Sequence, residues 1–464
     1  MSAAVASSAP SRSPEAKRRA NTELALLILA ILITLAAYTL VGLAQQPVIP
    51  SGLLPYGGVL VALAAAAHIV VRRLAPGADP LLLPIAFLLN GVGLAMVRRI
   101  DFALSSRDNA FALAPLQTIW TIIGVALFCA TMLLLRDHTI LDRYRYLIGL
   151  SAVVALMTPL LPFIGTDFGR GSRIWVQFPG GFSLQPGEFA KIGLVIFFAS
   201  YLAEKRALLS AATSRLGPLH VPPARAFGPV AVAWMISLGV LVFERDLGLS
   251  LLVFGIFVGM LYMATGRVAY VAFGGILFGA GAFASWTVFS HVQTRVDIWL
   301  HPFNDPQDTG FQLVQSLYAL GTGGLAGVGL GRGNPELIPD VPTDFIFSAI
   351  GEELGLLGTT ALLLLYFLVV GRGFAIALRA PDEFSKLLAA GLTFVFALQV
   401  FVIVGGVTRL IPLTGITLPL VSYGGSSLLA NYVLLALLVM ISSARRPAGR
   451  RGSDANLARV GTRR

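Results

Sequence analysis

Residues 24–44 read LALLILAILITLAAYTLVGLA. No charge interrupts them, and at 1.5 Å per residue they make a helix of roughly 30 Å, the hydrocarbon thickness of a bilayer. The run is continuous rather than alternating, which excludes a membrane β-barrel. The same signature recurs along the chain. Twelve spans are predicted, at 24–44, 54–71, 81–97, 118–135, 147–164, 189–203, 230–243, 247–264, 268–289, 345–370, 387–404 and 418–441. The expected fold class is therefore all-α: a polytopic membrane protein of about twelve transmembrane helices. Composition agrees. The chain is 56% hydrophobic and 12% charged, with mean hydropathy +0.80, whereas soluble domains carry about 25% charged residues.

The formal net charge is +11. Its placement argues against nucleic acid, because the basic residues sit at the ends of apolar runs and in the tails, as membrane orientation signals do. Twenty-four of the 34 Lys and Arg fall on the side that both termini share. This predicts a multi-pass protein of the cytoplasmic (inner) membrane with both termini cytoplasmic. Residues 1–21, rich in Ala, Ser and Pro, are expected to form a disordered cytoplasmic tail with no signal-peptide cleavage site. Residues 446–464 form a basic cytoplasmic tail. Cys129 is the single cysteine and lies in an apolar run, so it makes no internal disulfide.

With this topology the informative polar sequence gathers on the extracytoplasmic side. The largest piece is the loop between spans nine and ten, 301–344. Pro302 and Pro306 set turns, and Asp305 before Pro306 is biased to an extended or turn conformation. FQLVQSLYAL, 311–320, reads as a short amphipathic helix with Gln312, Gln315 and Ser316 on one side. The glycine-rich run that follows would let backbone lie close to a ligand. It lacks the G-K-[ST] ending of a nucleotide-binding loop, and the five histidines have no zinc-site spacing.

Four other stretches carry polar groups. SLQPGEFAKIGL, 183–194, places Glu188 and Lys191 three residues apart on one helix face. FERDLGLSLL, 243–252, puts Glu244, Arg245 and Asp246 between two apolar runs. DFIFSAIGEELGLLG, 344–358, buries Glu352 and Glu353 about two turns inside a span, where a partner such as Arg409 is expected. PLVSYGGSSLLANY, 419–432, begins with Ser422 near a cluster of small residues that permits close helix packing.

Taken in order, SLQPGEFAK, DLGLSLL, FNDPQDTGFQLVQS…GGLAGVGLG, PTDFIFSAIGEELGLLG and PLVSYGGSS resemble the SEDS family of shape, elongation, division and sporulation proteins (RodA, FtsW and SpoVE). The resemblance covers about residues 80–445, a ten-helix core. Residues 22–79 would add two N-terminal helices of the kind found in actinobacterial members. It implies a peptidoglycan glycosyltransferase that polymerises lipid II at the outer face of the membrane, with a lean to cell elongation. Asp305 would be the catalytic base. Glu188, Lys191, Asp246, Gln312, Gln315, Ser316 and Ser422 would bind substrate. Arg295 and Arg409 are candidates for the departing pyrophosphate, and a Mg²⁺ or Mn²⁺ ion would serve the same end although no ligand motif is present. The implied partner is a class B penicillin-binding protein, a transpeptidase. The chain has ERDLG where many relatives have QPDLG, which leaves Glu244 and Arg245 without an implied role. Two other readings predict different behaviour. A flippase would move lipid II without polymerising it, and a non-catalytic scaffold would not need Asp305.

Overall fold

The computed structural model describes residues 14–444, apart from 47, 51, 105–111, 163, 167–171, 179–182, 211–213, 217–218, 222–234, 236–238, 240–243 and 245. Among the described residues, ten helices are long and apolar enough to cross a membrane. The chain is thus an all-α multi-pass membrane protein. Helices α1 (Pro14–Gln45) and α2 (Leu53–Leu74) form a hairpin. Helices α3 (Leu82–Leu104) and α4 (Leu113–Leu135) follow. After a short α5 (Ile140–Arg143), the predicted fifth span is α6 (Arg145–Met157) plus one 3-10 turn. It is shorter than expected because Pro159 cannot continue the ladder. The predicted seventh span lies outside the described residues except for Met235 and Gly239, and Arg245 lies outside them too.

Small antiparallel strands β1 (Gly165–Thr166), β2 (Trp175–Gln177) and β3 (Ser183–Leu184) lead into α7 (Pro186–Ser210). A two-stranded ribbon, β4 (Ser214–Leu216) and β5 (Leu219–Val221), comes next. Then come α8 (Leu247–Thr265), α9 (Val268–Val288), α10 (Ser290–Leu300) and α11 (Phe311–Gly323). Helices α12 (Ile346–Arg379), α13 (Glu383–Val407) and α14 (Gly425–Ser443) complete the bundle.

Helices α3, α7, α13 and α14 are the most enclosed, and α1, α4 and α9 present mostly outward apolar faces. Residues such as Leu29, Ile33, Phe273 and Ile276 are exposed there. In lipid such faces carry no penalty, and helices associate through close packing instead. Gly124 is one such contact, since a Cβ there would lie 2.6 Å from the Tyr432 ring.

One expectation about the N-terminus is corrected. The predicted tail 1–21 is helical from Pro14 onward. Proline suits a first helical turn, Glu15 pairs with Arg19 at 2.7 Å, and Arg19 donates to the Gly77 carbonyl. Composition hid this anchorage, which depends on a turn 58 residues away. Residues 1–13 and 446–464 lie outside the described part. Farther along the hairpin, Glu23 is fully buried and bonded to His68 Nδ1 at 2.7 Å and to Arg72.

Helix α12 is broken at Gly355, where φ is 65° and ψ −165°. The glycine-rich segment after α11 fills the break. Val328 and Gly329 donate to the carbonyls of Glu352 and Glu353, and Leu356 and Leu357 donate to Gly324 and Leu325. Gly323, Gly327 and Gly333 stand close against α12, where a Cβ would meet its atoms. A Cβ on Gly333, for example, would sit 2.9 Å from Glu352 Oε2.

Candidate functional site

At one end of the bundle, polar groups from five segments meet. Pro186 and Gly187 open α7, so Glu188 and Lys191 fall in its first turns with their side chains inward. Lys191 is 1% exposed. Its Nζ donates to Glu188 Oε2 at 2.5 Å and to Gln399 Oε1 on α13 at 2.6 Å. An ammonium has three donors, and among the described residues two of them are taken. Gln399 Nε2 in turn donates to the Thr417 carbonyl at 3.0 Å. The amide thus ties Lys191 to the loop between α13 and α14.

Asp246 caps α8, its Oδ1 accepting from Leu249 N at 2.9 Å. Helix starts favour a carboxylate for this reason. Burial nonetheless pushes its carboxyl up to about 6, with Glu188 acting in the same direction, against the pull of the Leu249 N–H and of Arg295. Arg295 comes from α10, is half-buried, and donates Nη1 to the Leu413 carbonyl at 2.9 Å. Its guanidinium and Asp344 Oδ2 both lie about 4 Å from the position a Gly415 Cβ would take. The result is a line of charged groups in which two carboxylates, Glu188 and Asp246, lie between two cations, Lys191 and Arg295. Glu244 is buried beside Asp246.

Asp305 stands apart from this line. It is exposed, and its Oδ2 accepts from Thr309 N and Oγ1 at 3.2 Å each. Gly310 N closes the turn on the Asp305 carbonyl at 3.0 Å. Among the described residues, no hydrogen bond or ion pair joins Asp305 to Glu188, Lys191 or Asp246. The carboxylate is held in a fixed turn facing solvent. Asp308 is exposed too, and its carbonyl accepts from Phe311 at the start of α11.

Several other candidates have different roles from those expected. Arg409 does not reach Glu352 or Glu353. Its Nε and Nη2 donate to the carbonyls of Trp299 and Leu300 at 2.8 and 2.7 Å, and Trp299 Nε1 donates back to the Arg409 carbonyl at 3.1 Å. Arg409 so fixes the end of α10, just before the Asp305 turn. The partner of Glu353 is Arg99, at 2.8 Å, while Glu352 Oε1 accepts from Asn334 N at 3.1 Å. Ser316 is fully buried against Ser348 and the Val407 carbonyl, where it packs α11. Ser422 is also committed, accepting from Leu418 N and donating to the Thr343 carbonyl. Gln312 holds Asp340 at 3.2 Å, and Gln315 is half-buried. Gln399 and Arg99 went unnoticed. The signal was available, since an amide alone in the apolar run 387–404 and an arginine at a span end both need partners. Among the described residues no three His, Cys, Asp or Glu side chains converge as a metal site.

The fold has known counterparts. Solved structures similar to the chain include RodA of Thermus thermophilus, with TM-score 0.53 and 25% identity, covering 79% of this chain and 96% of that one. A chain from a structure described as "Structural coordination of polymerization and crosslinking by a peptidoglycan synthase complex" gives TM-score 0.57 at 26% identity, covering 76% and 95%. The peptidoglycan glycosyltransferase RodA of Mycobacterium tuberculosis is 48% identical over 436 residues, 94% of this chain and 93% of the relative. Stage V sporulation protein E of Bacillus subtilis is 36% identical over 369 residues, 78% and 96%. The family model described as cell cycle protein, FtsW/RodA/SpoVE, matches residues 80–447. The chain belongs to the FtsW/RodA/SpoVE family.

Proposed function

We propose that the protein is a peptidoglycan glycosyltransferase that polymerises lipid II, the lipid-pyrophosphate-linked disaccharide pentapeptide, at the outer face of the cytoplasmic membrane, with both termini inside. The observation that carries the reading is the match over nearly the whole chain to proteins named for that activity. The geometry supplies a chemistry. A new glycosidic bond forms between an acceptor sugar hydroxyl and the donor's anomeric carbon as the bond to pyrophosphate breaks. The exposed Asp305 carboxylate takes the hydroxyl proton, a role worth about 10²–10⁴-fold. Arg295 and Lys191 stabilise charge on the departing pyrophosphate. Glu188 holds Lys191, the Leu413 carbonyl holds Arg295 with Asp246 nearby, and Arg409 holds the α10 end from which the Asp305 turn springs. The separation of Asp305 from the charge line suits a substrate that lies between them.

A Mg²⁺ or Mn²⁺ ion lacks a convergent protein ligand set among the described residues, and no step here runs through one. A class B penicillin-binding protein is the proposed partner. The peptidoglycan synthase complex among the similar structures favours this, since its description couples polymerisation to crosslinking. The test is the purified chain in vesicles with lipid II, scored for glycan polymer and for transbilayer movement, with and without the transpeptidase. Polymer that increases with the partner supports the proposal. Movement without polymer would instead identify a flippase.

A further inference from the structure

The first two helices precede the stretch matched by the family model, yet they reach the large outer loop. Gln45, the last residue of α1, donates Nε2 to the Gly331 carbonyl at 2.7 Å. The N–H of the same glycine donates to Glu353 Oε2 at 2.7 Å, and Arg99 holds Glu353. One residue, Gly331, is thus gripped from two sides, through its carbonyl by the N-terminal hairpin and through its N–H by the broken helix. Its φ of 85° favours glycine, and a Cβ there would come within 2.5 Å of Ala44 Cβ.

A second tie runs beside the first. Arg98 lies over the Tyr38 ring at 3.8 Å, and Tyr38 stacks on Tyr56 with centroids 4.3 Å apart. Adjacent arginines at the end of α3 therefore face opposite ways. Arg98 engages the hairpin, and Arg99 engages the loop through Glu353 and the Gly333 carbonyl. The gripped backbone continues into the candidate site. It starts where α11 ends, at Gly324. It passes Asp340, which holds Gln312, and Thr343, which accepts from Ser422. It ends at Asp344, on the same side of Gly415 as Arg295.

We propose that the α1–α2 hairpin positions the polymerase site, acting through the Gln45–Gly331 hydrogen bond on the 324–344 backbone. Gln45 is a positioning residue and touches no substrate. The role in catalysis rests on the glycosyltransferase reading; the mechanical coupling does not. The test uses the full chain in lipid vesicles with lipid II, comparing Gln45→Ala, Gln45→Glu and Gln45→Lys. Only the lysine variant keeps a donor for the Gly331 carbonyl. Two readouts are taken: kcat and KM for polymer formation, and hydrogen exchange of the 328–333 amides. Gln45→Ala and Gln45→Glu are expected to speed exchange and lower kcat about three- to ten-fold, the range of one net hydrogen bond. KM and the unfolding temperature stay unchanged, and Gln45→Lys recovers both readouts. Exchange in Gln45→Ala that matches the natural chain overturns the coupling. Faster exchange with unchanged kcat overturns the positioning role. A natural chain that makes no polymer contradicts the glycosyltransferase reading, and the exchange result still decides the coupling.

Discussion

Asp246 sits where a helix start asks for a carboxylate and burial resists its charge. Its carboxyl is pushed up to about 6 from an ordinary value of 3.8. The folded state therefore holds this proton more tightly than the unfolded chain. The stability it contributes is complete below pH 4 and is lost as pH rises through about 6. A shift of about two units sets an upper bound of about 3 kcal/mol. Asp246→Asn keeps a capping oxygen and removes the charge. It is expected to be more stable than the natural chain at pH 8, with the gap closing by pH 4, in denaturation scans at both pH values. Polymerisation should fall at the same time, because Arg295 loses its facing carboxylate. Lys191 makes the complementary case. Lys191→Met leaves Glu188 buried without its cation, a loss of about 3–5 kcal/mol. Adding Glu188→Gln should restore much of that stability without restoring activity; a double variant no more stable than the single one contradicts the pairing.

Among the elements, the break in α12 governs how the outer loop is built. Glu353 accepts from Arg99 Nε and Gly331 N, so the loop is anchored to buried charge as well as to backbone. Arg99→Met should cost about 3–5 kcal/mol and release the 324–333 amides to exchange, whereas Arg332→Met, at an exposed position, should leave both unchanged. Sequence reading found α1, α2, α4 and α9 because each is a long apolar run with turn residues or charges at its ends. It also found α11, whose apolar residues recur at helical spacing. It did not find α10, SHVQTRVDIWL, which is too polar and too short to stand out. That Arg99 at a span end needs a partner is legible, but that the partner is Glu353, 254 residues away, is not, because local pattern carries no information across that distance. The permissiveness of the glycine-rich run is legible in its composition, whereas its contact with α12 depends on the break at Gly355, which local pattern does not show. The pairing of Glu188 with Lys191 was legible because i, i+3 neighbours share a helix face.

For the whole molecule, the extracytoplasmic reading of the outer loop makes a topological prediction. In a Cys129→Ala background, Arg332→Cys should react with an impermeant thiol reagent applied outside intact cells, and Arg379→Cys only after the membrane is opened. The reverse pattern at either position contradicts the orientation. The transpeptidase partner should raise polymer yield without altering the unfolding behaviour of the charge line. Beneath these stands the claim that an exposed aspartate in a proline turn performs the proton transfer of glycan synthesis. It is tested most directly by Asp305→Asn in purified, reconstituted protein with lipid II as sole substrate, alongside Asp308→Asn. The account predicts polymerisation lower by about two to four orders of magnitude for Asp305→Asn, little change for Asp308→Asn, and intact folding and partner binding in both; near-normal glycan synthesis by Asp305→Asn would contradict it.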